Sequence, residues 1–378
     1  MLDSRNWFTS ISSSRKRHFP RTRVNGKMIH ADGLQLINFS SNDYLGLSNH
    51  PMVVQAAQDA LAQHGLGSGA SRLVSGDAPV FHELEHALAE WKGYEAALLV
   101  GSGTLANIGL LHAIAGRHDV LFTDRLIHAS LVDGARLSTA KVKRFPHRDV
   151  GALENILRST QAHRRIIVTD GVFSMDGDIA PLSELMHLAM EYDALLIVDD
   201  AHGTGTMPDP RGACAMAGLS GSDRLVEIGT FGKAFGGYGA FILGSQPFID
   251  GLRQRLRTMI YSTALPCAIA QAMLVALGLI REGTLTARLQ RNIETFRRCS
   301  EGLPVTASPS AIQPVILGED TRALAMAEKL RKKGFFVPAI RPPTVPEGTS
   351  RLRITLSSLH DTEEIAHLLE AIRTCLHE

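Results

Sequence analysis

From residue 95 onward, short continuous apolar runs alternate with longer amphipathic stretches. The runs are Ala96–Val100, Val120–Thr123, Ile166–Thr169, Leu195–Val198, Leu225–Ile228 and Ala240–Leu243. They are too short for helices, and they lack the in–out alternation of a half-solvated sheet. That pattern predicts strands covered on both faces, hence a mainly parallel sheet with room for one antiparallel strand. Leu105–Ala115 and Leu182–Tyr192 carry helical spacing between runs, as expected of an α/β fold. Upstream, Pro51–Gln63 reads as a helix ending near Gly65. Pro79–Trp91 reads as another, with Phe81, Leu84, Leu88 and Trp91 on one face. Residues 1–40 predict a short helix, a basic loop and hairpin turns at Asn25-Gly26 and Asp32-Gly33.

Beyond residue 275 the pattern changes. A charged helix over Leu285–Leu303 is followed by Ile312–Leu317, a helix over Arg322–Lys333, Val337–Ile340, Leu352–Leu356 and a last helix from Thr362. This predicts a smaller α+β domain. The expected division is 1–44 as an N-terminal segment packing with the small domain, 45–275 as the large domain, and 276–378 as the small one. There is no internal repeat and no low-complexity linker.

Composition narrows the class. With 378 residues, 44% apolar content and 20% charge, the chain reads as a soluble globular protein of about two domains. A net charge of +1 supplies no basic field for nucleic acid. Cys214, Cys267, Cys299 and Cys375 are scattered without a C-x-x-C pair, which fits a reducing, cytoplasmic setting. The most apolar segment, Ala264–Ile280, contains Pro266 and Gln271 and is short for a membrane span. It reads as a buried helix. Ser12-Ser13-Ser14-Arg15-Lys16-Arg17 has the Ser and Arg content of a presequence, but reads as a solvated helix and loop.

Candidate chemistry gathers at the ends of the apolar runs, where open α/β sheets bind ligands. Thr230-Phe231-Gly232-Lys233-Ala234-Phe235-Gly236-Gly237 places a lysine in a glycine-rich loop. Val100 leads into Gly101-Ser102-Gly103-Thr104 and a helix, whose free amides suit a phosphate. The pattern is neither G-x-G-x-x-G nor a P-loop. Val198 leads into Asp199-Asp200-Ala201-His202, Thr169 into Asp170 through Ser174 to Asp178, and Thr123 into Asp124 through His128 to Ser130. Taken singly, each has an ordinary structural explanation. Together they offer a lysine for an aldehyde, a carboxylate for a ring nitrogen, two imidazoles and a phosphate cradle. That inventory matches pyridoxal 5′-phosphate (PLP).

A rival motif is His82-Glu83-Leu84-Glu85-His86, which satisfies H-E-x-x-H on a helix. No third histidine follows at metzincin spacing, and Gly103–Asn107 contains no acidic residue. The two histidines therefore read as the polar flank of a surface helix, with a zinc peptidase as the remote alternative.

The whole chain resembles the α-oxoamine synthases, fold-type-I PLP-dependent transferases that condense an amino acid with an acyl thioester and release carbon dioxide. The matching blocks are Ser41 to Leu47, Asp124 to Ser130, Gly171 to Asp178, Val198 to Gly205 and Thr230 to Lys233. Ala339 to Pro346, Ser350 to Leu356 and Ser310 to Pro314 point to the branch that joins L-alanine to a pimeloyl thioester, carried by CoA or an acyl carrier protein, in biotin biosynthesis. The alternative within the family uses glycine and acetyl-CoA.

The resemblance implies a role for each matching residue. Lys233 would hold the cofactor as an imine and move protons at Cα. Asp199 would pair with the ring nitrogen, His202 with the ring phenolic oxygen, and His128 would stack on the ring and help position the acyl substrate. Ser174 and Thr230 would bond the cofactor, with the amides of Gly103 and Thr104 at its phosphate. Ser262 and Thr263 would reach that phosphate from the second subunit of a homodimer. Asn42 and Arg353 would bind the amino-acid carboxylate and Thr344 the acyl part. Spacing places Lys16 where an arginine would meet the far carboxylate of the pimeloyl chain. The chain departs from many relatives by carrying Thr104 in place of an aromatic residue and Asp170 in place of Glu.

Overall fold

The computed structural model describes Trp7, Lys16 and residues 22–377. The expected first helix and the Arg15 and Arg17 positions lie outside the described residues. In chain order the strands are β1 (Thr22–Asn25), β2 (Met28–Ala31), β3 (Leu34–Asn38), β4 (Ala96–Val100), β5 (Val120–Asp124), β6 (Lys141–Phe145) and β7 (Arg165–Asp170). They continue with β8 (Ala194–Asp199), β9 (Leu225–Thr230), β10 (Ala240–Gly244), β11 (Ile312–Gly318), β12 (Phe335–Phe336), β13 (Ala339–Ile340) and β14 (Ser350–Thr355).

Seven strands form the central sheet in the order β4-β10-β9-β8-β7-β5-β6. Strands β5 to β9 run parallel, and β10 is antiparallel to both β9 and β4. Every residue of β4 and β5 is buried, as a sheet with helices on both faces requires. Two separate apolar clusters confirm that both faces are covered. One contains Leu99, Phe122, Ile167 and Leu196, the other Leu98, Leu121, Ile166 and Ile197. Adjacent residues thus point to opposite sides, as the strand pleat demands.

Strand β6 was not among the expected runs. Its sequence, Lys-Val-Lys-Arg-Phe, is exposed over most of its length at the sheet edge. Lysines there discourage pairing with another chain, and they also hide the strand from a search for apolar runs. The helices Ala129–Leu137, Val150–Arg158 and Gln246–Arg253 were likewise not anticipated.

The first three strands form a meander with turns at Gly26-Lys27 and Asp32-Gly33. Asp32 and Gly33 both have positive φ, 48° and 83°, as a tight hairpin turn requires. β3 then pairs in parallel with β12, so the N-terminal strands join the C-terminal part of the chain. A second small sheet has the order β11-β14-β13. Only Ala339–Ile340 of the expected Val337–Ile340 strand forms β13. The helix Cys267–Arg281 runs unbroken across residue 276 and buries Met273, Ala276, Leu277 and Ile280. It is the buried helix expected at Ala264–Ile280. No single helix among the described residues is long and apolar enough to cross a membrane.

Candidate active site

The strands converge on a cleft at their carboxyl ends. Its inner part, about 170 Å³, is lined by Gly103, Thr104, Asn107, His128, Ser130, Asp170, Asp199, His202, Thr230 and Lys233, among others. An outer part of about 850 Å³ shares His128, His202 and Lys233 and adds Asn42, Arg125, Ser174, Met175, Ile340, Thr344 and Arg353.

The lysine loop is held from behind. Phe231 and Phe235 are fully buried on either side of Lys233, with ring centroids 5.2 Å apart, and Phe231 meets Phe241 at the same separation. Two backbone bonds close the loop, Gly237 N–H to Phe231 O at 2.7 Å and Gly236 N–H to Lys233 O at 2.9 Å. Gly236 has φ 67°, and a Cβ there would lie 2.2 Å from Ser48 N, so the turn needs glycine. Lys233 is half-buried and its amine has no hydrogen-bond partner among the described residues. Burial lowers its pKa to about 8, Asp199 and Asp170 pull it back, and Arg353 pushes it down further.

Asp199 ends β8 and is buried. Ala201 N–H donates to its Oδ1 at 3.0 Å and Asn107 Nδ2 to its Oδ2 at 2.6 Å. Its strand neighbour in register, Asp170, is also buried. Burial and the nearby Asp199 push the Asp170 pKa well above the usual carboxylate range. Asp170 Oδ1 accepts from His128 N–H at 3.1 Å. This contact fixes the start of the helix that His128 caps.

His202 is buried with its Nδ1 2.6 Å from Tyr44 Oη. Burial holds its pKa well below the ordinary histidine value, with Lys233 and Arg353 adding to the effect, so it is a neutral imidazole. His128 is exposed to the cleft, and burial of part of its ring also lowers its pKa. Arg353 is buried on β14. Its Nε donates to Ser174 O at 2.6 Å, Nη1 to Thr355 Oγ1 at 3.0 Å, and both Nη atoms lie 3.3 Å from Asn42 Oδ1. Residues 311 positions apart thus present one guanidinium to the cleft.

At the other end, Ser102 caps the helix Gly103–Ile114 by accepting from Leu105 N–H, which leaves the amides of Gly103 and Thr104 available to an anion. Thr230 stands beside them: a Cβ on Gly103 would be 3.8 Å from Thr230 Oγ1. The donor set fits PLP on chemical grounds. An unpartnered amine shares the cleft with the Asp199 carboxyl, and a helix N-terminus closes one end.

Most of the expected site residues meet here, but not all. Gly103, Thr104, His128, Asp199, His202, Thr230 and Lys233 share the inner cleft. Asn42, Ser174, Thr344 and Arg353 line the outer one; Ser174 offers its carbonyl to Arg353 rather than a contact in the inner cleft. Ser262 and Thr263 line neither. They sit in a small separate pocket with Arg72, Phe81 and Gly101. Lys16 is exposed. Asn107, Ser130 and Tyr44 were missed as site residues because a buried Asn, Ser or Tyr has no sequence signature of its own. Of the H-E-x-x-H pair, His82 bonds Asp77 at 2.6 Å and is exposed. No group of three or more His, Cys, Asp or Glu side chains among the described residues is arranged to hold a metal ion.

Fold and cleft together define a fold-type-I PLP-dependent transferase. The chain matches the model of the family "Aminotransferase class I and II" over residues 35–372 and belongs to that family. Within it, the chain belongs with the 8-amino-7-oxononanoate synthases. It is 49% identical to the 8-amino-7-oxononanoate synthase of Methylococcus capsulatus over 90% of this chain and 89% of the relative. It is 47% identical to that of Chromobacterium violaceum over 94% of each. Among solved structures, an 8-amino-7-oxononanoate synthase from Francisella tularensis matches at TM-score 0.80 and 31% identity, covering 90% of this chain and 98% of that one. A serine palmitoyltransferase from S. paucimobilis with bound PLP matches at TM-score 0.90 and 28% identity, covering 94% and 91%.

Proposed function

We propose that the chain catalyses the decarboxylative condensation of L-alanine with a pimeloyl thioester to 8-amino-7-oxononanoate, releasing the thiol and carbon dioxide, as a step of biotin synthesis. One observation carries the reading: the unpartnered amine of Lys233 faces Asp199 in a cleft whose outer half presents Arg353. PLP, when bound, supplies an aldehyde for the substrate amine and a protonated ring that draws an electron pair from Cα. Lys233 would hold the cofactor through its amine, and that amine, once free, would take the Cα proton of alanine and later return one to the same carbon. Its lowered pKa makes it a base near neutral pH. Asp199 would hold the ring nitrogen, and neutral His202 would serve as a hydrogen-bond partner at the ring edge. Arg353 and Asn42 bind and orient the alanine carboxylate until the new C–C bond has formed and carbon dioxide leaves.

The outer cleft supports a long acyl chain over acetyl. Its volume of about 850 Å³ and its Leu126, Ile127, Met175, Ile340 and Val345 walls suit a seven-carbon diacid far better than a two-carbon group. The paired assay decides: alanine or glycine, each with pimeloyl-CoA or acetyl-CoA. Faster turnover with glycine and acetyl-CoA would overturn the assignment.

The protein acts as a cytoplasmic homodimer in this reading. Leu66, Leu73, Val74 and Tyr261 are 73 to 83% exposed, apolar side chains that a second copy would cover; Ser262 and Thr263 follow Tyr261, and Ala264 N–H bonds Ala70 O at 2.9 Å, which ties the two segments together. Sedimentation giving a monomer at micromolar concentration would refute the dimer. Comparing pimeloyl-CoA with pimeloyl carrier protein as donor identifies the carrier.

A further inference from the structure

Asn107 is 1% exposed, inside the helix Gly103–Ile114. Its Nδ2 lies 2.6 Å from Asp199 Oδ2 and 2.8 Å from Ser130 Oγ, while its Oδ1 is buried without a partner. The orientation of the amide follows from charge, since an amide oxygen that close to a carboxylate oxygen would be repelled. Both amide hydrogens are therefore committed, one to Asp199 and one to Ser130. Ser130 Oγ accepts one bond and has a single proton to give. Its remaining neighbour is His128 Nδ1 at 2.7 Å. The Ser130 backbone N–H points at the same Nδ1 from 3.3 Å. An imidazole nitrogen that receives two donors must present its lone pair, so the proton of neutral His128 sits on Nε2. That nitrogen has no partner among the described residues, and the ring lines both parts of the cleft.

We propose that Asn107 and Ser130 are positioning residues that hold His128 as its Nε2–H tautomer, in a relay whose orientation is set by the Asp199 carboxylate. The relay makes His128 a hydrogen-bond donor at the junction of the two clefts, where the thioester carbonyl gains negative charge as the C–C bond forms. One carboxylate then serves both the cofactor ring and, through two side chains, the residue that meets the acyl group. The inference rests on the proposed function for its rate effects only, because the tautomer belongs to the protein without cofactor.

Nitrogen-15 spectra of histidine-labelled full-length protein test it, with His128 assigned by its loss in His128→Gln. In the unmodified protein Nε2 should carry the proton, with or without PLP. Ser130→Ala removes the hydroxyl donor but keeps the backbone N–H, so it should shift the balance measurably toward Nδ1, and Ser130→Thr should keep the original balance. With substrates, Ser130→Ala should lower kcat roughly tenfold, the worth of about one hydrogen bond, leave the KM for alanine within about twofold, and be largely rescued by Ser130→Thr. Asn107→Ala should in addition weaken PLP binding, read from the bound cofactor's absorbance. Should that variant not fold, Ser130→Ala decides alone. A proton on Nδ1 in the unmodified protein, or an unchanged tautomer in Ser130→Ala, overturns the proposal. Absence of turnover with alanine and pimeloyl-CoA in the unmodified enzyme would overturn the proposed function instead, leaving the spectra to decide the relay.

Discussion

Behind the cleft lies a buried ionic cluster whose energetics can be tested directly. Lys92, Asp200 and Glu227 are each fully buried. Lys92 Nζ pairs with Glu227, lies 3.7 Å from Asp200 Oδ2, donates to Thr204 Oγ1 at 3.0 Å and bonds Arg211 O. Glu227 Oε2 also accepts from Tyr94 Oη at 2.7 Å. Burial opposes the lysine charge, but Glu227 and Asp200 overcome it and raise its pKa. Burial pushes the Asp200 carboxyl the other way, up to about 8, and Lys92 and Glu227 form the close pair of the cluster.

Replacing Lys92 by Met keeps the volume and strands Glu227. The carboxylate then stays charged in an apolar setting, at about 3–5 kcal/mol, or takes a proton. From an ordinary value of about 4.3, protonation at pH 7 costs about 3.7 kcal/mol. The same step at pH 5 costs only about 1 kcal/mol. An unpaired buried carboxyl is easier to accommodate at low pH, so the destabilisation of the variant grows as pH rises. Urea unfolding should show Lys92→Met less stable by about 4 to 5 kcal/mol at pH 7, including about 1 kcal/mol for lost hydrogen bonds. At pH 5 the deficit should shrink to about 2 kcal/mol. Adding Glu227→Gln should remove the pH dependence. A deficit below about 1 kcal/mol at pH 7, or one that does not change with pH, would refute the reasoning.

Other consequences are simpler to state. Lys233→Ala should fold and bind PLP but lose turnover by at least about a thousandfold, and borohydride should leave no cofactor attached to the chain by mass. In the unmodified protein, the rate of covalent cofactor capture should climb as pH passes about 8, where Lys233 loses its proton. His147 bridges Asp124 and Asp178, at 3.0 and 2.8 Å, and these carboxylates overcome its burial to raise its pKa to about 9. Its folded pKa lies above the unfolded one, so its stabilisation is complete below about pH 6.5 and lost through pH 9. His147→Gln should therefore cost about 1–2 kcal/mol at pH 6 after solvent screening, and the difference should vanish above pH 9 in urea melts. Gly236→Ala should lower stability by more than about 2 kcal/mol, because its φ of 67° is strained for alanine and the new Cβ meets the Ser48 backbone.

The sequence by itself determined most of the central sheet and pointed to several of the residues that line the cleft. Continuous apolar runs require cover on both faces, and strand ends followed by glycine, carboxylate or lysine mark where a ligand binds. β4 to β10 appeared this way, apart from β6, whose charged edge carries no apolar signal. Lys233, Asp199, His202 and His128 were legible because each belongs to a block with its own pattern. Tertiary structure alone decided what stands behind them. Asn107 in one helix meets Asp199 across 92 positions of chain and Ser130 in another helix across 23, and Tyr44 meets His202 across 158. The raised pKa of Asp170, and where Ser262 and Thr263 lie, also depended on packing. The reason is physical: hydrogen-bond partners and desolvation are set by distances in space, and no local pattern of residue types encodes them.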